Sequence, residues 1–274
     1  MSTEQIIHER QDMRHLAWTK IRHSSGTAGS FLKAYDDLRG KRVYYKLSDF
    51  DPVHGITGHE CVNEIIADRL LTLLRIENVH YRLIHARIRI QDTEYTTWLC
   101  ASDNFRAPDE RKISLEDYYL SERKAKEQPM AFCKRMGWQR YIYEMLIVDY
   151  LILNRDRHGA NMEVLINRRD GSVRPAPLFD HGLSLVCRCQ TEASLRGFDV
   201  MEDKKVQSFV GGNSASENLS LVPKSAMRRI PALQGADFHG LFEGLTDALG
   251  EAHRKVIQNM LEKRWEYFEM LRHS

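Results

Sequence analysis

Hydrophobic and polar residues alternate with a period of two along parts of the first hundred residues. In "RVYYKLS" (42–48), Val43, Tyr45 and Leu47 share one face, and the segment 81–90, which is followed by the segment 93–100, alternates in the same way. This period predicts half-buried β-strands. Only two residues separate the last two segments, so they are predicted to form a hairpin. Between these strands, "HECVNEIIADRLLTLLRI" (59–76) has apolar residues at helical spacing and predicts one amphipathic helix.

After Asn104 the pattern becomes mainly helical. The segment 138–153 is apolar nearly all round, which is typical of a helix buried in a core. A hairpin is predicted around Asp170–Gly171, and helices dominate again from about Asp237. This order predicts an α+β fold with two lobes. Residues 1–104 would form a small strand-rich lobe, and residues 105–274 a larger, mainly helical lobe with one hairpin.

Composition limits the functions that this chain can have. It has 274 residues, and its 40 basic and 38 acidic residues give a net charge of +2. Because neither sign dominates, no nucleic-acid or membrane partner is expected. No stretch reaches the roughly 18 apolar residues that cross a bilayer. The first residues lack the apolar segment of a secretory signal, and the five cysteines are scattered, so a reduced cytoplasmic protein is expected.

Polar residues cluster in "LILNRDRHGANMEVLIN" (151–167), directly after the predicted buried helix. Asp156 and Asn161 lie five positions apart on the loop between this helix and the next strand. Asp180, in "LFDHG", is predicted to end the second strand of the hairpin and so to return to the same place. Carboxylate and amide oxygens suit Mg²⁺, so Asn161 and Asp180 are candidate metal ligands. Asp156 would then accept a proton from an attacking hydroxyl, and the set fits phosphoryl transfer.

The alternative for each of these residues is a helix cap or a turn. That alternative is the more common one for Asp156 taken alone, but the three residues in this order favour phosphoryl transfer. For His158, a hydrogen bond that holds the loop backbone rigid is favoured over direct chemistry. Asp149, on the predicted buried helix, is expected to be a structural hydrogen-bonding residue.

The segment "NRDRHGANMEVLI…LFDHG" resembles the D-x-H-x-x-N…FD pattern of HipA-like serine/threonine kinases. Its loops are also similar to those of phosphoinositide lipid kinases. The resemblance is specific over 145–185 and weaker from about 24 to 120. It implies a bilobal protein-kinase-like fold that uses ATP and Mg²⁺. In this comparison Asp156 corresponds to the catalytic aspartate, and His158 is a further candidate catalytic residue. Asn161 and Asp180 correspond to the magnesium ligands.

The resemblance also implies an ATP-binding half of the site. Lys46 matches the family's strand lysine, which contacts the ATP phosphates, and Glu64 matches its acidic partner on the helix. Glu60, one turn away, is the second choice. The stretch "HSSGTAGSFLK" (23–33) stands in the place of the family's phosphate-binding loop, which carries an autophosphorylated serine in some members. Its cofactor-binding candidates are Ser25, Gly26 and Thr27.

The expected activity is transfer of the γ-phosphate of ATP to a Ser or Thr hydroxyl of a protein substrate, with autophosphorylation as a further expectation. The alternatives are a small-molecule or lipid kinase on the same core and a nucleotide-binding pseudokinase. A lipid kinase would need a basic cluster near the acceptor site, and residues 186–224 hold only scattered cations. HipA toxins have an additional N-terminal subdomain that contributes to contacts with the antitoxin, whereas only about twenty residues precede the glycine-rich stretch here. A toxin–antitoxin role therefore does not transfer with the resemblance, and whether this chain has such a partner stays open. The oligomeric state stays open.

Overall fold

The computed structural model describes residues 5–19, 31–38, 40–51 and 53–274. The strands are β1 (Ile6–Asp12), β2 (Lys33–Leu38), β3 (Lys41–Lys46), β4 (Phe50–Asp51), β5 (Gly55–Ile56), β6 (Tyr81–Ile90), β7 (Thr93–Asp103), β8 (Glu110–Ser114), β9 (Asp156–Arg157), β10 (Glu163–Asn167), β11 (Val173–Pro175) and β12 (Gln207–Ser208). The helices are α1 (Glu60–Leu73), α2 (Leu115–Glu122), α3 (Pro129–Arg135), α4 (Gln139–Leu151), α5 (Glu192–Arg196), α6 (Ala215–Ser220), α7 (Lys224–Met227), α8 (Gly235–Gly240) and α9 (Glu251–His273).

A five-stranded sheet carries the first part of the fold, in the order β1-β6-β7-β3-β2. The two strands predicted from alternation are confirmed as β3 and β6, and the predicted 81–100 hairpin is confirmed as the β6–β7 pair. Strand β1 was not predicted, and it runs parallel to β6. One face of the sheet buries Val43, Tyr45 and Leu47 in a small core with residues of β6 and β7. The opposite face therefore carries Lys46.

Helix α1 packs on that opposite face and belongs to the main core. The predicted helix is confirmed, and it is buried on more than its apolar face. Eleven of the fourteen residues of α1 are buried, and they include Glu60, Asn63, Glu64 and Asp68. Buried polar side chains need hydrogen-bonding partners, so the polar side of α1 must face other protein groups.

The second part of the fold surrounds α4, the predicted buried helix, in which eight of thirteen residues are buried and Gln139 and Arg140 at its start are exposed. Ser114 caps α2, as predicted, because its hydroxyl accepts a 3.0 Å hydrogen bond from the Asp117 N–H. The predicted hairpin is confirmed as β10–β11, and β8 joins it as a third strand. Helix α9 packs against α4, α5, α7 and α8. No helix within the described ranges is both long and apolar enough to cross a bilayer.

Sheet and helices together confirm the predicted α+β fold. The main hydrophobic core runs without interruption from α1 through α4 to α9. Helix α1 is therefore shared between the sheet and the helical part. The division of the chain into lobes at residue 104 stays a prediction.

Candidate active site

Lys46 and two carboxylates form the first half of the site. The alternation of β3 directs the Lys46 side chain towards α1, where only 12% of it is exposed. Its ammonium donates a 2.9 Å hydrogen bond to Glu64 Oε1 and a second hydrogen bond to Asp180 Oδ1. Glu60 makes a different contact, because its Oε2 accepts the backbone N–H of Asp49 at 3.1 Å. Of the two candidate partners from α1, the structure therefore pairs Glu64 with Lys46.

Glu64 also holds the segment that follows Asp180. Its carboxylate accepts the backbone N–H groups of His181 at 2.8 Å and Gly182 at 3.1 Å. A Cβ atom at Gly182 would lie 3.1 Å from Glu60 Cβ and 3.3 Å from Lys46 Nζ. These contacts are closer than side chains normally allow, so a glycine lets this backbone approach α1.

The charges of this half stabilise one another. Burial alone would raise the pKa of Asp180 and of Glu64, but the positive charge of Lys46 outweighs burial and lowers both. Burial alone would lower the pKa of Lys46, but the two carboxylates raise it well above its ordinary value. All three groups are therefore charged at neutral pH.

The sequence suggested that Asp180 ends a strand, and this expectation is wrong. Strand β11 ends at Pro175, and the chain then continues to a parallel bridge between Leu178 and Asn78, just after α1. Asp180 itself has a φ of +60°, in the left-handed region that few residues other than glycine adopt. Backbone strain of this kind is often found at functional sites.

Asp156, His158 and Asn161 form the second half of the site, on the loop after α4. The Asn161 amide nitrogen donates to Asp156 Oδ2 and to the Asp156 carbonyl oxygen, each at 3.0 Å. His158 Nε2 lies 3.3 Å from Asp156 Oδ1. The expectation was that the His158 ring forms a hydrogen bond to the loop backbone. Within the described residues this expectation is wrong, because the ring contacts the Asp156 carboxylate instead.

This loop is closely packed from both sides. Asp156 lies opposite Gln207 in the parallel pair of β9 and β12. A Cβ atom at Gly159 would come within 2.8 Å of Glu116 Cβ and of Phe209 Cδ2. The position of the Asp156 carboxylate is thus set by neighbouring segments as well as by its own loop.

Arg157 joins the two halves, and sequence reasoning assigned it no role. Its side chain is 1% exposed, and it lies against Asp149 of α4 with N–O distances of 3.1–3.2 Å. It also donates to the carbonyl oxygen of Phe179 at 2.7 Å. The prediction that Asp149 is a structural hydrogen-bonding residue is confirmed. The charged residues in "NRDRH" could have suggested that Arg157 belongs to a buried ion pair, but not that Asp149 is its partner.

The remaining predicted residues lie at the edge of the described structure. Ser25, Gly26 and Thr27 fall outside the described residues. Phe31 and Lys33 belong to the same stretch, 23–33, but were not singled out from the sequence. The ring of Phe31 lies 4.7 Å from Lys46 Nζ, and the charge of Lys33 contributes to lowering the pKa of Asp180. Both residues thus lie beside the lysine and carboxylate of the first half.

Asn161 and Asp180 each have an oxygen atom of the kind that binds a magnesium ion. Asn161 uses its amide nitrogen for Asp156, and no donor within the described ranges contacts its Oδ1. Asp180 uses Oδ1 for Lys46 and keeps Oδ2 for another partner. An amide oxygen and a carboxylate oxygen are hard ligands of the kind that Mg²⁺ prefers. These two residues are therefore the ones that would hold such an ion.

A cavity of about 910 Å³ lies elsewhere, and none of the predicted site residues lines it. Its walls include Asp68 and Arg69 of α1, His80 before β6 and Asp237 of α8. This cavity therefore does not coincide with the charged groups around Lys46. The coupled charges around Lys46 mark the candidate site more specifically.

Comparisons with known proteins place this fold among kinases. Neither a scan against protein-family models nor a search of curated proteins finds a match. Among solved structures, the crystal structure of the Helicobacter pylori proinflammatory kinase CtkA matches with a TM-score of 0.63 and 14% identity, over 96% of this chain and 98% of that one. A chain of the HipA–HipB toxin–antitoxin complex with operator DNA from Shewanella oneidensis MR-1 gives a TM-score of 0.49 and 15% identity, over 93% of this chain and 68% of that one.

The fold is thus kinase-like, and the predicted fold class is confirmed. The resemblance to HipA-like kinases, first stated on short motifs, implied a protein-kinase-like fold, and the match to the CtkA structure supports that fold. At 14% identity the likeness extends to the fold and no further.

Proposed function

We propose that this protein is an ATP- and Mg²⁺-dependent kinase that transfers the γ-phosphate to a Ser or Thr hydroxyl of a protein. The observation that carries the proposal is the contact of one buried ammonium, that of Lys46, with both Glu64 and Asp180. Phosphoryl transfer needs a fixed cation for the phosphate oxygens and a nearby carboxylate for the metal. A kinase-like fold with this contact supports phosphotransfer over a nucleotide-binding role without chemistry.

Each residue then has a distinct task. Lys46 donates to phosphate oxygens of ATP, and Glu64 keeps the ammonium in place. Asp180 and Asn161 hold Mg²⁺, which when bound neutralises charge on the phosphates. The nucleotide lies between the two proposed lobes, 1–104 and 105–274.

Asp156 acts on the acceptor. The acceptor oxygen forms a bond to the γ-phosphorus while the bond from that phosphorus to the ADP oxygen breaks, and Asp156 takes the hydroxyl proton. His158 and Asn161 contact the two oxygens of its carboxylate and so fix its orientation. A general base needs this control, because proton transfer requires hydrogen-bonding geometry.

Incubation of the purified protein with γ-labelled radioactive ATP tests the proposal. We expect Mg²⁺-dependent labelling of serine or threonine, in this chain or in an added protein mixture, and its loss in a folded Asp180→Ala variant. Binding of ATP without any transfer would favour the pseudokinase alternative. Labelling confined to lipids or small molecules would favour the other kinase alternatives.

A further inference from the structure

The backbone that follows Asp180 adopts conformations that need support from its surroundings. We call residues 180–185 the Asp180 segment. Asp180 and Leu185, at its two ends, have φ values of +60° and +55°, in the left-handed region. Residues other than glycine cost free energy in this region and persist there only where neighbouring contacts hold them. The contacts of this segment therefore decide where the Asp180 carboxylate lies.

Asn63 of α1 holds two carbonyl groups of the Asp180 segment. Its side-chain nitrogen donates to the carbonyl oxygen of Gly182 at 2.9 Å and to that of Ser184 at 3.1 Å. Both hydrogens of the amide are then in use, one for each carbonyl. Asn63 is fully buried, and turning its amide over would place the amide oxygen against two other oxygens. The two carbonyl groups therefore fix the orientation of this side chain.

Glu64 does not duplicate this task, although it is the next residue of α1. Glu64 accepts two backbone N–H groups of the segment, whereas Asn63 donates to its carbonyl groups. The Ser184 carbonyl also accepts the Cys187 N–H at 3.1 Å. Among the residues that the structure describes, the Gly182 carbonyl has a donor in Asn63 alone. A buried carbonyl without a donor costs free energy, so loss of the Asn63 amide favours other arrangements of the segment.

The far end of the Asp180 segment is held from α4 and the loop that follows it. The Leu183 carbonyl accepts the Arg155 N–H at 3.1 Å. The Leu185 N–H donates to the Ile152 carbonyl at 2.6 Å. At the near end, the Asp180 N–H makes a long contact of 3.4 Å with a hydroxyl group of β6. The backbone at the Asp180 end is thus held mainly by α1.

We propose that Asn63 is a positioning residue for magnesium binding, because its amide keeps the Asp180 segment in the conformation that presents the Asp180 carboxylate to the metal. This inference rests on the proposed kinase function and adds a residue to which the sequence assigned no role. Without the amide, the carboxylate occupies the metal-binding position for a smaller fraction of the time. The apparent affinity for the metal-bound nucleotide then falls by that fraction.

The kinetics of phosphate transfer give the first test. Asn63→Ala removes the amide, and we expect KM for MgATP to rise about tenfold because two hydrogen bonds are lost. Since saturating MgATP selects the metal-binding conformation, kcat should stay within about twofold of wild type. A residue that only stabilises the fold would instead lower the amount of active protein, and hence the apparent kcat, without a change in KM.

Asn63→Asp provides a second measurement if the alanine variant does not fold. The carboxylate keeps the size of the side chain, but it turns an acceptor towards two carbonyl oxygens in place of two donors. Its KM for MgATP should rise at least as much as that of Asn63→Ala. A KM equal to that of the wild type in a folded Asn63→Asp protein would contradict the inference.

Asn218→Ala is the matched control, because Asn218 is another buried asparagine that binds backbone groups. Its side chain donates to the Gly212 carbonyl at 3.0 Å and accepts the Gly212 N–H at 2.7 Å, so its hydrogen bonds go to Gly212 instead of the Asp180 segment. Asn218→Ala should lose stability in urea unfolding, as Asn63→Ala does, but keep the wild-type KM for MgATP. An equal rise of KM in both variants would assign Asn63 a structural role only.

Binding separates this inference from the kinase function on which it rests. Calorimetry gives the Kd of ATP with Mg²⁺ and with EDTA, and the ratio of the two measures the effect of the metal without turnover. We expect this ratio to fall about tenfold in Asn63→Ala, towards its value in Asp180→Ala, with unchanged affinity for metal-free ATP. An unchanged ratio, or equal losses with and without Mg²⁺, would overturn the inference. The expected fall in a protein that transfers no phosphate would refute the kinase function alone.

Discussion

The Arg157 guanidinium donates a 2.7 Å hydrogen bond to the carbonyl oxygen of Phe179, the residue before Asp180. The same guanidinium lies against Asp149 of α4. Arg157 thus connects the loop of the proposed base to the loop of a proposed metal ligand, and both to a buried helix. Because its hydrogen bonds go to Asp149 and to the Phe179 carbonyl, we expect Arg157 to position the residues on either side.

Arg157→Ala should destabilise the protein strongly. Removing one partner of a buried ion pair leaves the other charge without compensation, which costs about 3–5 kcal/mol. Urea unfolding of wild type and variant measures the loss. A change of less than about 1 kcal/mol would mean that water or another cation replaces Arg157, contrary to its burial.

A double variant separates stability from positioning. Arg157→Met with Asp149→Leu replaces the ion pair by apolar groups, which often restores much of the stability. We expect phosphate transfer to stay low, because the Phe179 carbonyl has lost its donor. Recovery of transfer together with stability would assign Arg157 a structural role only.

Glu64 and Glu60 should respond differently to the same substitution. Glu64→Gln removes the charge that faces Lys46 and should lower kcat/KM, whereas Glu60→Gln keeps an acceptor for the Asp49 N–H and should have little effect. Lys46→Ala combined with Glu64→Ala should cost less than the sum of the single losses, because residues in direct contact are not additive. Fully additive losses, or a larger effect of Glu60→Gln, would reject Glu64 as the functional partner.

Asp156→Asn should separate binding from chemistry. The amide keeps the size of the side chain, and Asn161 and Asp180 still provide the metal ligands. Loss of a general base lowers rates by about 10² to 10⁴. Calorimetry with Mg²⁺ and ATP should show nearly unchanged affinity while phosphate incorporation almost disappears. A parallel fall of affinity and rate would indicate a metal ligand or a structural residue instead.

His59 should make stability depend on pH between about 4 and 6.5. Burial and the neighbouring ring of His253 lower its pKa to about 4, and within the described ranges its buried Nε2 has no hydrogen-bonding partner. The unfolded chain, with a histidine pKa near about 6.5, binds the proton more readily, so stability is full above that pH and falls as the pH drops to 4.

Thermal unfolding across this range measures the effect. His59→Gln should flatten the curve between pH 6.5 and 4. The paired carboxylates Glu64 and Asp180 have lowered pKa values, so their contribution is lost only in more acidic solution, below about pH 4. An unchanged slope in the His59→Gln variant would mean that other groups cause the dependence.

The sequence predicted those elements that bury one clear face. Val43, Tyr45 and Leu47 enter one core, and α4 is apolar almost all round, so period and composition were sufficient for β3 and α4. Strand β1 was missed because "IIHERQD" places one buried residue, Ile6, at the edge of a sheet. An edge strand of this kind is held by backbone pairing with β6, which leaves little trace in side-chain pattern.

For the site, local spacing identified Asp156, Asn161 and Asp180 as candidates. It could not identify Arg157, because a buried arginine depends on partners that come together only in the tertiary structure. Nor could it give the left-handed backbone of Asp180, which surrounding contacts impose rather than the residue's own preference. The roles of Asp156, Asn161 and Asp180 in phosphate transfer stay predictions until the variants above are measured.

The carboxylate of Glu64 accepts the Lys46 ammonium and the backbone N–H groups of His181 and Gly182 at once. A shift of α1 therefore cannot remove the Glu64 carboxylate from Lys46 without also removing it from the segment after Asp180. These contacts of the first half of the site would then form and break as one event, governed by a single equilibrium. An effector that displaces α1 would act as an on–off switch rather than a graded control, with ATP affinity and turnover lost together.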